Sequence, residues 1–174
     1  MTAREPLHTD RGEEIEFETV SPAETEALGA SLGRLLLAGD IVTLSGELGG
    51  GKTCFVRGVV AGASPEAANL VASPTFAILN EYPGTVPILH YDCYRLRGAD
   101  DALELGLLDR LGGDAICLLE WPERIPGVIA GEYLAASFQW LGEEYRRITL
   151  SAHGERSRKL LALLRDERKK KLVS

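Results

Sequence analysis

Hydrophobic and polar positions near the start of the chain follow two spacings, one of a strand and one of a helix. Residues 14–20 alternate between polar and apolar side chains, which is typical of a half-buried strand. Ser21 and Glu24 fit a helix N-terminus with a capping box, and Pro22 suits the first turn. Apolar spacing then predicts a helix that Gly39 ends. The apolar face of this helix would consist of Leu28, Leu32, Leu35 and Leu36.

The rest of the chain alternates between short apolar runs and amphipathic segments. Further strands are predicted at residues 40–45, 76–82, 86–91, 115–119, 133–140 and 145–150. Further helices are predicted at residues 54–61, 101–105, 107–111 and 156–165. Residues 83–84 and 141–144 would form the turns of two hairpins, and Asp100 would cap a short helix. This order of elements predicts an α/β domain of three layers with a mixed parallel and antiparallel sheet.

Composition favours one domain over residues 1–174. The chain is 45% hydrophobic, which is enough for a full-sized core. We expect residues 1–12 to be flexible, since they are polar and contain no apolar run of a signal peptide. No apolar run approaches the length of a membrane span. An odd number of cysteines without C-x-x-C spacing favours reduced thiols in a cytoplasmic protein; they are Cys54, Cys93 and Cys117.

Charge is unevenly distributed along the chain. The formal net charge is −7, yet residues 155–171 carry eight Lys or Arg and three Asp or Glu. An acidic body disfavours independent binding of nucleic acid, because the phosphates repel it. The basic tail, residues 166–174, either contacts RNA or an acidic protein, or is a helix C-terminus whose cations suit the helix dipole.

Residues 46–53, Gly-Glu-Leu-Gly-Gly-Gly-Lys-Thr, match the phosphate-loop pattern G-x-x-x-x-G-K-[ST] between a predicted strand and a predicted helix. Glycines let backbone N–H groups converge on phosphate oxygens, and the helix N-terminus adds more of them. Lys52, the first lysine of the chain, would contact the outer phosphates of ATP, and the Thr53 hydroxyl would bind Mg²⁺. The predicted nucleotide contacts in this loop are Glu47, Leu48, Gly49, Gly50, Gly51, Lys52, Thr53 and Cys54.

Acidic residues at the ends of two apolar strands are candidates to complete a hydrolytic site. The strand that ends at Glu120 has the Walker-B form, which places this carboxylate where ligands collect in α/β sheets. Asp92 ends another strand and would support Mg²⁺ or orient the attacking water. Thr75, in a Ser-Pro-Thr-Phe turn, is a candidate switch hydroxyl near the γ-phosphate. The predicted catalytic residues are Lys52, Asp92 and Glu120, and the predicted metal ligands are Thr53, Asp92 and Glu120.

Polar and aromatic residues near these acids have plainer interpretations. We interpret His90 as a hydrogen-bonded packing residue, and Trp121 as a core or interface aromatic that covers the metal side of the site. Arg146 and Arg147 are most simply surface charges of a hairpin, although contact with the nucleotide is a second interpretation.

Other nucleotide-binding classes share the phosphate loop. A small-molecule kinase is the main alternative, but residues 59–73 contain neither an arginine-rich lid nor an acid suited to an acceptor. A GTPase is disfavoured, because the D-x-x-G match at residues 109–112 has no Asn-Lys-x-Asp segment to accompany it. A nucleotide-dependent binding module without hydrolysis is a third alternative.

Motifs in a fixed order extend the phosphate loop into a resemblance over nearly the whole chain. The chain resembles the TsaE (YjeE) family, the P-loop ATPase of bacterial tRNA threonylcarbamoyladenosine biosynthesis. The residues that carry the resemblance are Gly46 to Thr53, Ser73-Pro74-Thr75-Phe76, His90-Tyr91-Asp92-Cys93-Tyr94-Arg95-Leu96, Glu104-Leu105-Gly106-Leu107 and Glu120-Trp121-Pro122-Glu123.

The resemblance implies an ATPase, slow on its own, that acts as a nucleotide-dependent switch on a TsaD–TsaB-type transferase heterodimer. It implies contact with tRNA only through that complex, and no contact with DNA or membranes. By position, Thr53 and Glu120 are similar to magnesium ligands and Asp92 to the supporting acid. The chain departs from the usual family loop at Gly50, commonly alanine, and at Cys54, commonly threonine. The family's adenine contact falls near residues 22–25.

Overall fold

The computed structural model describes residues 14–71 and 77–173, with only the helical backbone of residues 171–173. The strands of these segments are β1 (Glu14–Thr19), β2 (Ile41–Gly46), β3 (Leu79–Tyr82), β4 (Ile88–Asp92), β5 (Ile116–Glu120), β6 (Tyr133–Trp140) and β7 (Arg146–His153). The α-helices are α1 (Pro22–Gly33), α2 (Lys52–Ala63), α3 (Ala99–Glu104), α4 (Leu107–Arg110) and α5 (Glu155–Val173). The described segments also contain two 3-10 helices, Pro65–Leu70 and Pro122–Arg124. None of the helices described is long and apolar enough to cross a membrane.

All the strands form one sheet in the order β1-β7-β6-β2-β5-β4-β3. The central strands β6, β2, β5 and β4 are parallel, whereas β3, β7 and β1 are antiparallel to their neighbours. Both predicted hairpins, β3–β4 and β6–β7, are present. The predicted α/β fold with a mixed sheet is therefore confirmed.

Each face of the sheet has its own hydrophobic core. Alternate residues of the central strands, such as Leu44 and Leu118, pack with α1, α2 and α5 on one face. Their neighbours, such as Cys117 and Leu119, pack with α3 and α4 on the other. Because side chains alternate along a strand, Glu120 continues the face of Leu118, which is the face that α2 covers. The strand ends thereby place acidic residues beside the helix that follows the phosphate loop.

Glycines bring α1 and α2 into close contact and fix the position of the loop helix. A Cβ at Gly58 of α2 would lie 2.0 Å from the backbone oxygen of Glu26 in α1. A Cβ at Gly33 of α1 would lie 2.1 Å from the backbone oxygen of Val59 in α2. Any side chain at these positions would push the two helices apart. Gly29 and Gly62 meet the partner helix in the same way.

Three local predictions were wrong in their details. Helix α1 ends at Gly33 rather than Gly39, because Leu35 and Leu36 continue in turns whose N–H groups bond three residues back. Asp100 does not cap α3; Gly98 precedes that helix, and Asp101 instead accepts a hydrogen bond from the Arg97 N–H. Helix α5 continues to Val173, well past the predicted end at residue 165, so the basic segment is helical.

Candidate functional site

The loop between β2 and α2 forms one wall of a cleft of about 280 Å³. Gly46 and Gly51 have φ angles of 138° and 101°, which strain any residue with a side chain. A Cβ at Gly46 would also lie 2.5 Å from the backbone oxygen of Phe138. Helix α2 begins directly after Gly51, and no side chain of the described residues caps it. Its first backbone N–H groups are therefore available to an anion.

Lys52 is the first residue of α2, and its ammonium is held at the loop. The Nζ atom donates to the carbonyl oxygens of Gly46 at 2.5 Å and Glu47 at 2.9 Å. It also lies 4.6 Å from the ring centre of Trp121, in a cation–π contact. Only 5% of Lys52 is exposed, and this burial lowers the pKa of its ammonium. The nearby carboxylates, of which Glu120 acts most strongly, oppose that shift.

Asp92 and Glu120 lie side by side at the carboxyl ends of β4 and β5, where they are paired in register. Burial raises the pKa of Asp92 above its usual value of 3.8. A hydrogen bond of 2.9 Å from the Tyr94 N–H opposes this shift, and the charge of Glu120 adds to it. Two half-buried or buried carboxylates in contact with one cleft favour a cation, since a cation would offset their mutual repulsion.

A buried polar chain lies behind Glu120. His90 Nε2 lies 2.8 Å from Glu120 Oε1, and His90 Nδ1 lies 3.3 Å from the Tyr82 hydroxyl. Burial of these groups is nearly complete, since His90 is 0%, Tyr82 3% and Glu120 5% exposed. His90 is thus a hydrogen-bonded buried residue as predicted, but its partner is the candidate metal ligand. No sequence pattern identifies this partner, because the contact depends on how β4 and β5 are aligned.

Trp121 adopts a left-handed backbone conformation, with φ 58°. This conformation costs a non-glycine residue about 1–2 kcal/mol. Its N–H donates to the carbonyl oxygen of Leu44 at 3.0 Å, which ties β5 to the phosphate-loop strand. Its ring contacts both the Lys52 ammonium and the Tyr94 ring, whose centre lies 5.1 Å away. Trp121 therefore covers the Lys52 side of the cleft, and its predicted cover over the metal side stays a prediction.

Arg146 is not the simple surface charge that the hairpin position suggested. Its Nη2 donates to the carbonyl oxygen of Gly49 in the loop at 3.1 Å. Its Nη1 donates to the carbonyl oxygens of Gly142 and Glu143 at 2.7 and 3.2 Å. Arg146 therefore ties the phosphate loop to the β6–β7 turn. Arg147, in contrast, points to β1, where it forms an ion pair of 2.9 Å with Glu18.

The structure brings most of the predicted site residues into one cleft. Its lining includes Leu48, Gly49, Gly50, Gly51, Lys52, Thr53, Cys54, Asp92 and Glu120. Glu47 contributes its backbone, whose carbonyl oxygen accepts from Lys52 and from the Gly50 N–H at 3.0 Å. Thr75 lies outside the described residues. The sequence missed Glu143 and Glu144, which line the cleft from the β6–β7 turn.

The same donor set fits a nucleotide with magnesium. The loop offers unpaired N–H groups and an ammonium to phosphates, and Thr53, Asp92 and Glu120 offer oxygen ligands. Among the described residues no group of three or more His, Cys, Asp or Glu forms a metal cluster. Magnesium needs none, since it commonly binds one or two carboxylates together with substrate phosphates and water.

Comparison with known proteins places the chain in a family. A family model described as "Threonylcarbamoyl adenosine biosynthesis protein TsaE" matches residues 19–150. The protein named tRNA threonylcarbamoyladenosine biosynthesis protein TsaE of Bacillus subtilis (strain 168) is 36% identical over 144 residues, 82% of this chain and 89% of that relative. The protein of the same name from Streptomyces coelicolor is 38% identical over 136 residues, 74% of this chain and 90% of the relative.

A solved structure agrees with these relatives. The crystal structure titled "Crystal structure of Bacillus subtilus YdiB" superimposes with a TM-score of 0.75 at 30% sequence identity. The match covers 90% of this chain and 97% of that one. The matched length, the shared fold and the ordered motifs lead to one conclusion: this chain belongs to the TsaE family.

Proposed function

We propose that this protein is a Mg²⁺-dependent ATPase that takes part in making threonylcarbamoyladenosine in tRNA, next to the anticodon. The observation that carries the proposal is the meeting of Lys52, Asp92 and Glu120 at one cleft beside an uncapped helix N-terminus. Relatives named for tRNA threonylcarbamoyladenosine biosynthesis support the pathway. An ammonium buried beside two carboxylates in a cleft is typical of a functional site.

In this proposal each residue has a separate task. The loop N–H groups and the Lys52 ammonium bind the phosphates of ATP. Thr53 and Glu120 hold the magnesium ion, which would neutralise charge on the transferred phosphoryl group. Asp92 supports the metal or orients the attacking water through its carboxylate. Trp121 covers the Lys52 side of the cleft and limits the access of bulk water.

In this proposal, ATP hydrolysis serves to change the state of a protein complex. We propose that ATP binding and hydrolysis switch the contact between this protein and a TsaD–TsaB-type transferase heterodimer, and that tRNA is met only through that complex. The rate of ATP turnover in the presence of the heterodimer should be well above the rate of the isolated chain. Equal rates with and without the heterodimer would contradict the switch, while leaving the ATPase itself intact.

The Glu120→Gln variant tests the hydrolytic part directly. The change is nearly isosteric, so ATP should still bind, whereas phosphate release should fall by about 100-fold or more because the metal loses a charged ligand. Glu66→Gln, an exposed carboxylate outside the cleft lining, is the matched control and should behave as wild type. A Glu120→Gln variant that hydrolyses ATP at the wild-type rate would overturn the proposed function.

A further inference from the structure

The polar chain behind Glu120 is buried more deeply than the cleft itself. Tyr82 lies on β3, His90 on β4 and Glu120 at the end of β5, so three neighbouring strands supply one member each. Burial of polar groups costs free energy unless each one finds a partner. Apolar side chains at Tyr82 and His90 would fit this core face without that cost. The two residues therefore need an explanation other than packing.

The hydrogen bonds that link these buried polar side chains run in one direction, from Tyr82 through His90 to Glu120. A carboxylate oxygen only accepts hydrogen bonds, so His90 Nε2 carries a proton and donates to Glu120 Oε1 at 2.8 Å. In the neutral imidazole Nδ1 is then the acceptor, and the Tyr82 hydroxyl, 3.3 Å away, donates to it. This arrangement gives every member of the chain a partner. It also commits one oxygen of the Glu120 carboxylate to the protein.

We propose that His90 and Tyr82 are positioning residues that fix the Glu120 carboxylate for its metal. His90 holds Oε1, so Oε2 remains as the oxygen for magnesium, and Tyr82 fixes the tautomer and the ring orientation of His90. The inference rests on the proposed function, in which Glu120 is a magnesium ligand. Groups that orient a metal ligand in this way typically change metal affinity or activity by about 10- to 100-fold when they are removed.

Two substitutions at one position separate positioning from packing. His90→Leu fills the space but leaves Glu120 Oε1 without a donor, whereas His90→Gln can place an amide N–H near the former Nε2. Tyr82→Phe keeps the ring and removes only the hydroxyl. The measurement is the affinity for Mn²⁺, used as a probe for Mg²⁺. Mn²⁺ is titrated into the ADP-saturated full chain, and electron paramagnetic resonance monitors its binding.

We expect His90→Leu to weaken Mn²⁺ binding by about 10- to 100-fold and His90→Gln to restore most of the loss. Tyr82→Phe should weaken it less, and metal-free ADP binding should be unchanged in all three. Equal impairment of the Gln and Leu variants, or wild-type Mn²⁺ binding by the Leu variant, would overturn the inference. Glu120→Gln identifies the source of a failure: if it too binds Mn²⁺ as wild type does, the proposed function falls as well.

A spectrum of the unaltered protein gives a second readout, which does not depend on metal binding. Nitrogen-15 shifts of the His90 ring, assigned against the His90→Gln spectrum, should show a protonated Nε2 hydrogen-bonded to a carboxylate. An Nε2 that carries no proton would overturn the inference, because Glu120 would then have no donor from His90.

Discussion

Replacing Lys52 by methionine removes the ammonium while it keeps most of the buried stem. In the structure the ammonium donates two hydrogen bonds to carbonyl oxygens of the loop, at 2.5 and 2.9 Å. When a nucleotide binds, the same group would turn its donors toward phosphate oxygens. The variant should therefore lose affinity for ADP and ATP, and the size of the loss follows from the exchange of partners.

Hydrogen bonds of an ionised group contribute about 1.5–3 kcal/mol each, and the two carbonyl contacts of the ammonium already fall in this range. Exchanging the carbonyl acceptors for phosphate oxygens adds the attraction between opposite charges, which is about 4 kcal/mol for unit charges about 4 Å apart at an effective dielectric constant of about 20. The loss of Lys52 should therefore weaken nucleotide binding by up to about 1,000-fold. Lys52→Arg should recover only part of this, since a planar guanidinium does not replace a compact ammonium between the two carbonyls.

Stability should change much less than affinity. Two carbonyl groups lose a donor, but a poorly solvated charge is also removed, and these effects oppose each other. The sign of the pH dependence is a further check. Because burial lowers the Lys52 pKa below 10.5, the unfolded chain binds more protons than the folded one in the window below 10.5. Wild-type stability should therefore gain on the Lys52→Met variant as pH rises through that window.

Calorimetric titration with ADP and with ATP in Mg²⁺ measures the affinity, and circular dichroism melting verifies the fold. Lys159→Met is the matched control, because Lys159 is an exposed residue on α5 paired only with Glu155 among the contacts described. A folded Lys52→Met variant that binds ATP as tightly as wild type would refute the assignment of this lysine to the phosphates.

Three further predictions concern the fold around the cleft. In EDTA, Asp92→Asn should raise the melting temperature at pH 8 but not near pH 4. Burial raises the Asp92 pKa, so at a pH above that pKa the ionised carboxylate destabilises the folded state. A variant that is less stable than wild type at pH 8 would contradict this. Gly58→Ala should destabilise by about 1–3 kcal/mol or more in denaturant unfolding, since its Cβ would meet the Glu26 carbonyl, whereas Gly113→Ala should be tolerated. Ser21→Ala should cost about 1 kcal/mol in the same assay by removing the α1 cap, and an unchanged midpoint would count against that cap.

The loop could be predicted from the sequence because its geometry is encoded locally. Glycine at positions 46 and 51 permits backbone angles that other residues strain to adopt, and Lys52 follows at a fixed spacing. The position of Glu120 could be predicted equally well, because a run of apolar residues that ends in an acid marks the end of a buried strand. Both predictions use only residues that are close together in the sequence, between a strand and the turn that follows it.

The partners of these residues could not be predicted, because they depend on contacts between distant segments. His90 reaches Glu120 only because Asp92 and Glu120 are paired in register across β4 and β5. Arg146 reaches Gly49 only because β6 lies beside β2 and turns back above the loop. A shift of one residue in either pairing would point these side chains to the opposite face.

Helix ends were uncertain for a similar reason. The leucine spacing predicted that the first helix would reach Gly39. Leu36 is indeed buried, as a helical residue at that position would be, although it lies outside the helix. After Gly33 the chain continues in turns next to Asp40, which accepts a hydrogen bond from the Leu37 N–H at 2.8 Å and forms an ion pair of 2.7 Å with Arg156. Arg156, far along the chain, also donates to the Leu35 carbonyl oxygen at 3.0 Å, so tertiary contacts stabilise a boundary that local spacing does not encode.

A crystal structure of the protein with Mg²⁺ and a non-hydrolysable ATP analogue tests the central claim most directly. We predict phosphate oxygens on the backbone N–H groups that lead into α2, with the Lys52 ammonium on the outer phosphates and the metal beside Thr53 and Glu120. A nucleotide bound elsewhere, with Lys52 still on the carbonyl oxygens of Gly46 and Glu47, would contradict it.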